Sequence, residues 1–188
     1  MGQPRIETLD RRQCVGLLRG AQVGRVAFVD PDLPVGATAP HVVPVAFVVD
    51  GGDEHEAVGG GGGGDVVVRT TQGSRLGELA PGCLVTFEAD EVRPGVREGW
   101  SVLVTGRATR ETDEVRTARL AGRLQAWAPG FKTLWLRIPL ENVSGRRLVS
   151  TDRVVELPDT PAPRWREPTG WAPATRTAAE YTTDFDGR

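Results

Sequence analysis

Apolar positions along this chain recur in two periods, and the switch between them marks out the elements. Cys14, Leu17 and Leu18 fall at helical spacing behind Thr8 or Asp10, either of which can cap a helix, and Gly20 supplies its stop. The period then drops to two. Val23–Val29 is a short run of β-formers, broken by Asp30-Pro31-Asp32 and Leu33-Pro34. A second strand is predicted over His41–Asp50 and a third over Asp65–Thr70. In Cys83–Asp90, Val85 and Phe87 alternate with Thr86 and Glu88, the pattern of a half-buried strand. Arg93-Pro94-Gly95 is a turn, and Trp100–Ala108 is a long strand with Trp100, Val102 and Val104 on one face. Leu134–Val143 is the last main strand, with Leu134, Leu136, Ile138 and Leu140 facing one way.

Helical spacing returns twice. Ser74 can cap a short helix carrying Leu76 and Leu79, and Glu111–Ala128 places Leu120, Leu124 and Trp127 on one face before Pro129-Gly130 ends it. Some six strands with hairpin-length links and flanking helices predict a mostly β fold, a closed antiparallel barrel. Two places break the pattern. Pro44 cannot donate to a ladder, so it marks an edge, a bulge or a place where something other than a strand lies alongside. The run Gly51–Gly64, ending in Gly59–Gly64, reads either as a flexible hairpin tip or as a phosphate-cradling loop; the strand after it favours the tip. The barrel is expected to occupy residues 5–157. A proline-interrupted tail, 158–188, is expected to be poorly ordered, and its Trp165, Trp171 and Tyr181 could lie against the barrel or a partner subunit.

Composition narrows the function classes. The 188 residues carry 23 basic and 25 acidic side chains, a net charge of −2, so no global basic field recruits nucleic acid or an anionic membrane. No apolar run approaches the ~20 residues of a membrane span, and no apolar signal core follows Met1, so a cytoplasmic protein is expected. Cys14 and Cys83 could form one bridge but read as free core thiols. Two histidines and two scattered cysteines make no metal-ligand spacing, and no standard nucleophile or acid–base set is present, so no catalytic residue is assigned. His41 could donate a proton but more simply begins a strand.

The segment Arg69-Thr70-Thr71-Gln72-Gly73-Ser74-Arg75 carries the candidate chemistry. It leaves a strand and enters the expected short helix, whose first N–H groups present partial positive charge. Two arginines and three hydroxyls in seven residues add donors suited to a phosphate monoester. The plainer reading is a capped turn with arginines in water.

Several motifs, in order, resemble the pyridoxamine 5'-phosphate oxidase-related family of the FMN-binding split-barrel superfamily. They are Val23-Gly24-Arg25-Val26-Ala27-Phe28; Pro44-Val45-Ala46-Phe47; Val68-Arg69-Thr70 with Gly73-Ser74-Arg75-Leu76; Val85-Thr86-Phe87-Glu88-Ala89-Asp90; the run Gly99-Trp100-Ser101-Val102 to Ala108; and Val143-Ser144-Gly145-Arg146-Arg147. The resemblance covers about residues 5–150 and implies a six-stranded antiparallel split β-barrel of the FMN-binding type. It also implies a homodimer with cofactor sites at the interface and a small-molecule substrate. It implies that Arg69, Thr70, Ser74 and Arg75, with Thr71 between them, hold the flavin phosphate, and that Pro44, Val45, Ala46 and Phe47 run along the flavin ring. Trp100 and Ser101 would line the site near the interface, and Arg146 and Arg147 are candidates for its anion-facing rim, or equally a solvated strand end. Ala46 stands where relatives often carry Asn, and Arg75 where they carry Lys. Three functions follow as expectations: an FMN-dependent oxidoreductase, a deazaflavin-dependent reductase, or a non-enzymatic flavin- or haem-binding barrel.

Overall fold

The computed structural model describes residues 5–29, 40–52, 63–79, 81–124 and 133–150; residues 53–62 of the glycine-rich tip, Trp127 and the 158–188 tail lie outside them. In chain order the elements are β1 (Arg5–Leu9), α1 (Arg11–Gly20), β2 (Val23–Val29), β3 (Pro40–Asp50), β4 (Asp65–Thr70), β5 (Cys83–Arg93), β6 (Glu98–Arg110), α2 (Glu114–Ala121), β7 (Leu134–Pro139) and β8 (Asn142–Val149). The strands run in the order β1-β8-β6-β5-β2-β3-β4-β7, and β7 returns to pair with β6. Every pairing is antiparallel, so β2 to β7 close a six-stranded antiparallel barrel and β8 and β1 extend it from β6.

The split lies along β6. Its first half pairs with β8, from Gly99↔Leu148 to Thr105↔Asn142, and its last residues pair with β7, Thr109↔Arg137 and Arg110↔Leu136. Between these pairs β6 advances from Thr105 to Thr109, while the opposing chain advances one residue more, from Arg137 to Asn142. Pro139 sits in this bulge, packed on Gly106, where a Cβ would stand 3.2 Å from the proline ring. The strand expected over 134–143 is thus two strands, β7 and β8, that lie on the same edge of β6 but pair on their outer edges with β4 and β1 respectively.

Alternation fills the barrel. Val26 and Phe28, Val45 and Phe47, Val66 and Val68, Val85 and Phe87, and Val102 and Val104 supply its core. Phe47 and Phe87 meet edge-on with ring centroids 4.6 Å apart. Gly24 admits the Phe87 ring, since a Cβ there would come within 2.4 Å of it. Asp10 caps α1 in a reciprocal box with Gln13, so Thr8 is not the cap and belongs to β1. Cys14, Val15 and Leu18 of α1 are buried, and Gly145 of β8 lets the Cys14 thiol approach: a Cβ there would stand 2.6 Å from Sγ. Both cysteines are free thiols.

Two expected helices are corrected. Residues 71–79 form consecutive turns rather than a helix, because Ser74 spends its side chain on one turn and Gly77 is pressed against the Thr71 carbonyl. The helix expected from Glu111 begins at Glu114, where Asp113 accepts from the N–H groups of Val115 and Arg116. No helix among the described residues is long and apolar enough to cross a membrane.

Candidate cofactor site

At the end of β4 the chain turns back on itself through a side-chain scaffold. The Thr70 and Ser74 hydroxyls lie 2.8 Å apart. Ser74 Oγ donates to the Thr71 carbonyl at 2.7 Å and accepts from the Gly77 N–H at 3.0 Å. Gly73 takes φ +79°, and a Cβ on Gly77 would meet the Thr71 oxygen at 2.3 Å, so glycine is required at both positions. Leu76 and Leu79, buried in the barrel core, anchor the turn, and Arg110 donates to the Gly77 carbonyl at 3.3 Å. The five predicted phosphate residues therefore follow one another through a strand end and the turn after it: Arg69 and Thr70 on β4, Thr71, Ser74 and Arg75 beyond it.

Each arginine has an aromatic or heteroaromatic neighbour that the sequence did not single out for the site. The Arg69 guanidinium lies over the Trp135 ring, 4.7 Å from its centroid, and the two residues are direct cross-strand partners of β4 and β7. Arg75 Nη1 lies 3.1 Å from His41 Nε2 at the start of β3. A guanidinium has no acceptor, so the imidazole nitrogen accepts. The His41 ring also packs on Phe28, with centroids 5.4 Å apart.

Strand β3 contributes by alternation. Val45 and Phe47 are buried in the barrel core, and the Phe47 N–H is engaged by the Gln22 carbonyl at 3.1 Å. Pro44 and Ala46 project to the opposite, outer face. Among the described residues β3 pairs with β4 only from Phe47 onward, so Pro44 lies where that edge of β3 has no ladder partner. This is the edge position that a proline requires.

Trp100 and Ser101 stand apart from this turn. Trp100 packs at the rim of the core and donates its indole N–H to Glu91 at 3.3 Å. Ser101, on the outer face, accepts from Arg146 Nε at 3.3 Å. The short way round the barrel, β6-β7-β4, is two strand-to-strand steps, but β7 meets β6 only at Thr109 and Arg110, so Ser101 lies eight residues back along β6, roughly 26 Å at the usual strand rise. One chain does not bring Trp100 and Ser101 to the Arg69–Arg75 turn. Arg147 lies directly opposite Glu7 and lines a separate surface pocket with Arg93 and Glu98.

Charge on the outer face is unevenly committed. Arg25, the ladder partner of Pro44, is engaged by Asp90 and Glu88, and the hydrogen bond and charge of Asp90 hold its guanidinium above the ordinary arginine range. Arg75 instead meets a neutral acceptor. A phosphate monoester suits this segment chemically: two guanidinium groups flank a turn whose single carboxylate, Glu78, is exposed, while the Thr70 and Ser74 hydroxyls hold the turn's shape. The dipole of a helix N-terminus is not among the contributors. No group of His, Cys, Asp and Glu among the described residues is arranged to hold a metal ion.

A family model described as pyridoxamine 5'-phosphate oxidase matches residues 10–147. The chain belongs to the pyridoxamine 5'-phosphate oxidase family. The matched span holds all the predicted cofactor residues, from Pro44 to Ser101, and ends within β8. An uncharacterized protein of Mycobacterium tuberculosis, Rv0080, is 32% identical over 145 residues, covering 77% of this chain and 87% of its own. Among solved structures, a candidate pyridoxamine 5'-phosphate oxidase of Corynebacterium glutamicum is similar at 26% identity and a TM-score of 0.57, covering 81% of this chain and 99% of its own. The FAD binding protein of Mycobacterium smegmatis is similar at 26% identity and a TM-score of 0.53, covering 76% of this chain and 98% of its own. These two solved structures share the split-barrel fold.

Proposed function

We propose that this chain is an FMN-binding protein that works as a flavin-dependent oxidoreductase on a small molecule, as a homodimer with cofactor sites at the interface. The observation that carries the reading is the segment from Arg69 to Arg75, two cations flanking a turn braced by the Thr70 and Ser74 hydroxyls, on the strand next to the outward-facing Pro44 and Ala46. The likeness to a FAD binding protein supports a flavin. FMN is preferred because the turn offers one phosphate-sized set of donors.

In this reading a bound flavin supplies the redox chemistry. The chain's own residues bind and orient: Arg69 and Arg75 hold the phosphate, Thr70 and Ser74 fix the turn, and Ala46 with Pro44 provides a low outer surface for the ring. Exposed apolar residues support the dimer. Val29, Val42, Leu84 and Leu103 are large exposed apolar residues on the outer face of β2, β3, β5 and β6. In this reading a second copy covers that face and supplies the Ser101 that one chain alone does not bring to the turn.

Purified protein tests this directly. Yellow colour with the blue-region absorption of an oxidised flavin, and FMN as the species released on denaturation, are expected. Released FAD would keep the site and change the cofactor. A deazaflavin or haem spectrum would replace it, and a colourless protein that FMN does not stabilise against heat would contradict it.

A further inference from the structure

The arginine at the centre of the proposed phosphate site is held by an aromatic ring that neither the motif pattern nor the hydroxyl cluster identifies. Arg69 and Trp135 are directly opposed across the β4–β7 ladder, so the register of the barrel brings them together. The guanidinium carbon lies 4.7 Å from the ring centroid, both residues are half-buried, and Arg69 Nε is withdrawn from solvent. A free arginine side chain carries large rotamer freedom, which a ligand must remove on binding. Here the guanidinium lies over the indole ring and its Nε is buried. The neighbouring ladder pair, Thr70↔Leu134, continues the same register into the Thr70–Ser74 contact.

We propose that Trp135 is a positioning residue for phosphate recognition: by stacking on Arg69 it presents the guanidinium to the anion in its binding orientation, so the cost of ordering the arginine is met during folding. This rests on the reading of Arg69–Arg75 as the flavin phosphate site. Trp135 touches the arginine and need not touch the cofactor. Its effect therefore depends on the phosphate, and it grades with ring quadrupole in the order Trp, Tyr, Phe.

The test compares FMN with riboflavin, which lacks the phosphate, by equilibrium titration of the full chain. Trp135→Leu is expected to weaken FMN about tenfold and leave riboflavin affinity unchanged, as loss of an exposed-to-desolvated cation–π contact implies. Trp135→Phe and Trp135→Tyr, which keep a ring and protect the fold, are expected to recover most of that loss. In Arg69→Ala, removing the indole is expected to cost nothing further. Wild-type FMN affinity in Trp135→Leu, or equal losses for FMN and riboflavin, would overturn the proposal while leaving the phosphate site intact. Arg69→Ala binding FMN as tightly as wild type would instead remove the site reading itself, and this proposal with it.

Discussion

Asp50 and Asp65 face each other directly across the β3–β4 ladder, and both are buried. Two like charges at one rung would repel, and burial would raise the cost. Arg116 of α2 resolves the conflict: its Nε donates to Asp50 at 2.8 Å, one Nη to Asp65 at 2.7 Å and the other to Glu111 at 2.8 Å. Arg119 adds a second clamp on Asp50 at 2.9 Å, and Arg123 donates to the Val49 carbonyl. A single helix of eight residues is thereby pinned to the loop end of the β3–β4 hairpin, at the opposite end of β4 from the phosphate turn.

Arg116→Leu is expected to destabilise the barrel by about 3 kcal/mol, the usual scale for leaving buried carboxylates without their partner. Burial acts against the guanidinium charge, but the hydrogen bonds to Asp65 and Asp50 outweigh it and hold Arg116 above the ordinary arginine range. A raised value in the folded state means that this stabilisation is fully present below the unfolded arginine value and is lost only as pH rises beyond it. The difference between wild type and variant should therefore stay constant through neutral pH. Denaturant titration of both at two such pH values checks it.

Gly77→Ala should damage the site more than the fold. The added methyl would meet the Thr71 carbonyl at 2.3 Å, and neither atom belongs to a flexible side chain. Opening the turn separates Ser74 from its two turn contacts, Thr71 and Gly77. Flavin affinity is expected to fall at least tenfold, roughly one lost charged hydrogen bond, while strand content by circular dichroism is kept. A variant that binds FMN as wild type does would show that the turn is not part of the site.

The two thiols should behave differently. Burial, with the Asp10 charge beside it, raises the Cys14 thiol above its ordinary value of 9.0. Cys83 is half-exposed. Under native conditions a thiol reagent is expected to label Cys83 and leave Cys14 unlabelled until the protein unfolds. Because the folded value is raised, the contribution of the neutral Cys14 thiol is complete below the unfolded value and is lost as pH climbs through the folded one. Above pH 9.0 the unfolding free energy should fall more steeply in wild type than in Cys14→Ala, a comparison that denaturant titration at several alkaline pH values makes.

Much of this was legible before any coordinates. Val85/Phe87 against Thr86/Glu88, and the β-rich runs at 23–29 and 65–70, gave strands where strands are found, because half-burial writes itself as alternation. β1 escaped notice because five residues with one buried side chain, Leu9, leave almost no pattern, and its partner β8 is distant in sequence. The break between β7 and β8 was invisible because Leu136, Ile138 and Leu140 continue one face straight into the bulge. At the site, the arginines and hydroxyls declared themselves by chemistry. Trp135 and His41 did not, since each reaches its arginine through strand register or a turn that only the closed barrel sets.

The most direct measurement is the ratio of FMN to riboflavin affinity in the apo protein, with and without the two arginines, at one fixed ionic strength. FMN is expected to bind at least tenfold more tightly, and that preference is expected to vanish in Arg69→Ala/Arg75→Ala as the charged hydrogen bonds, about 1.5–3 kcal/mol each, are lost. Equal affinities for the two flavins in the wild type, or a preference for FMN that survives in the double variant, would contradict it.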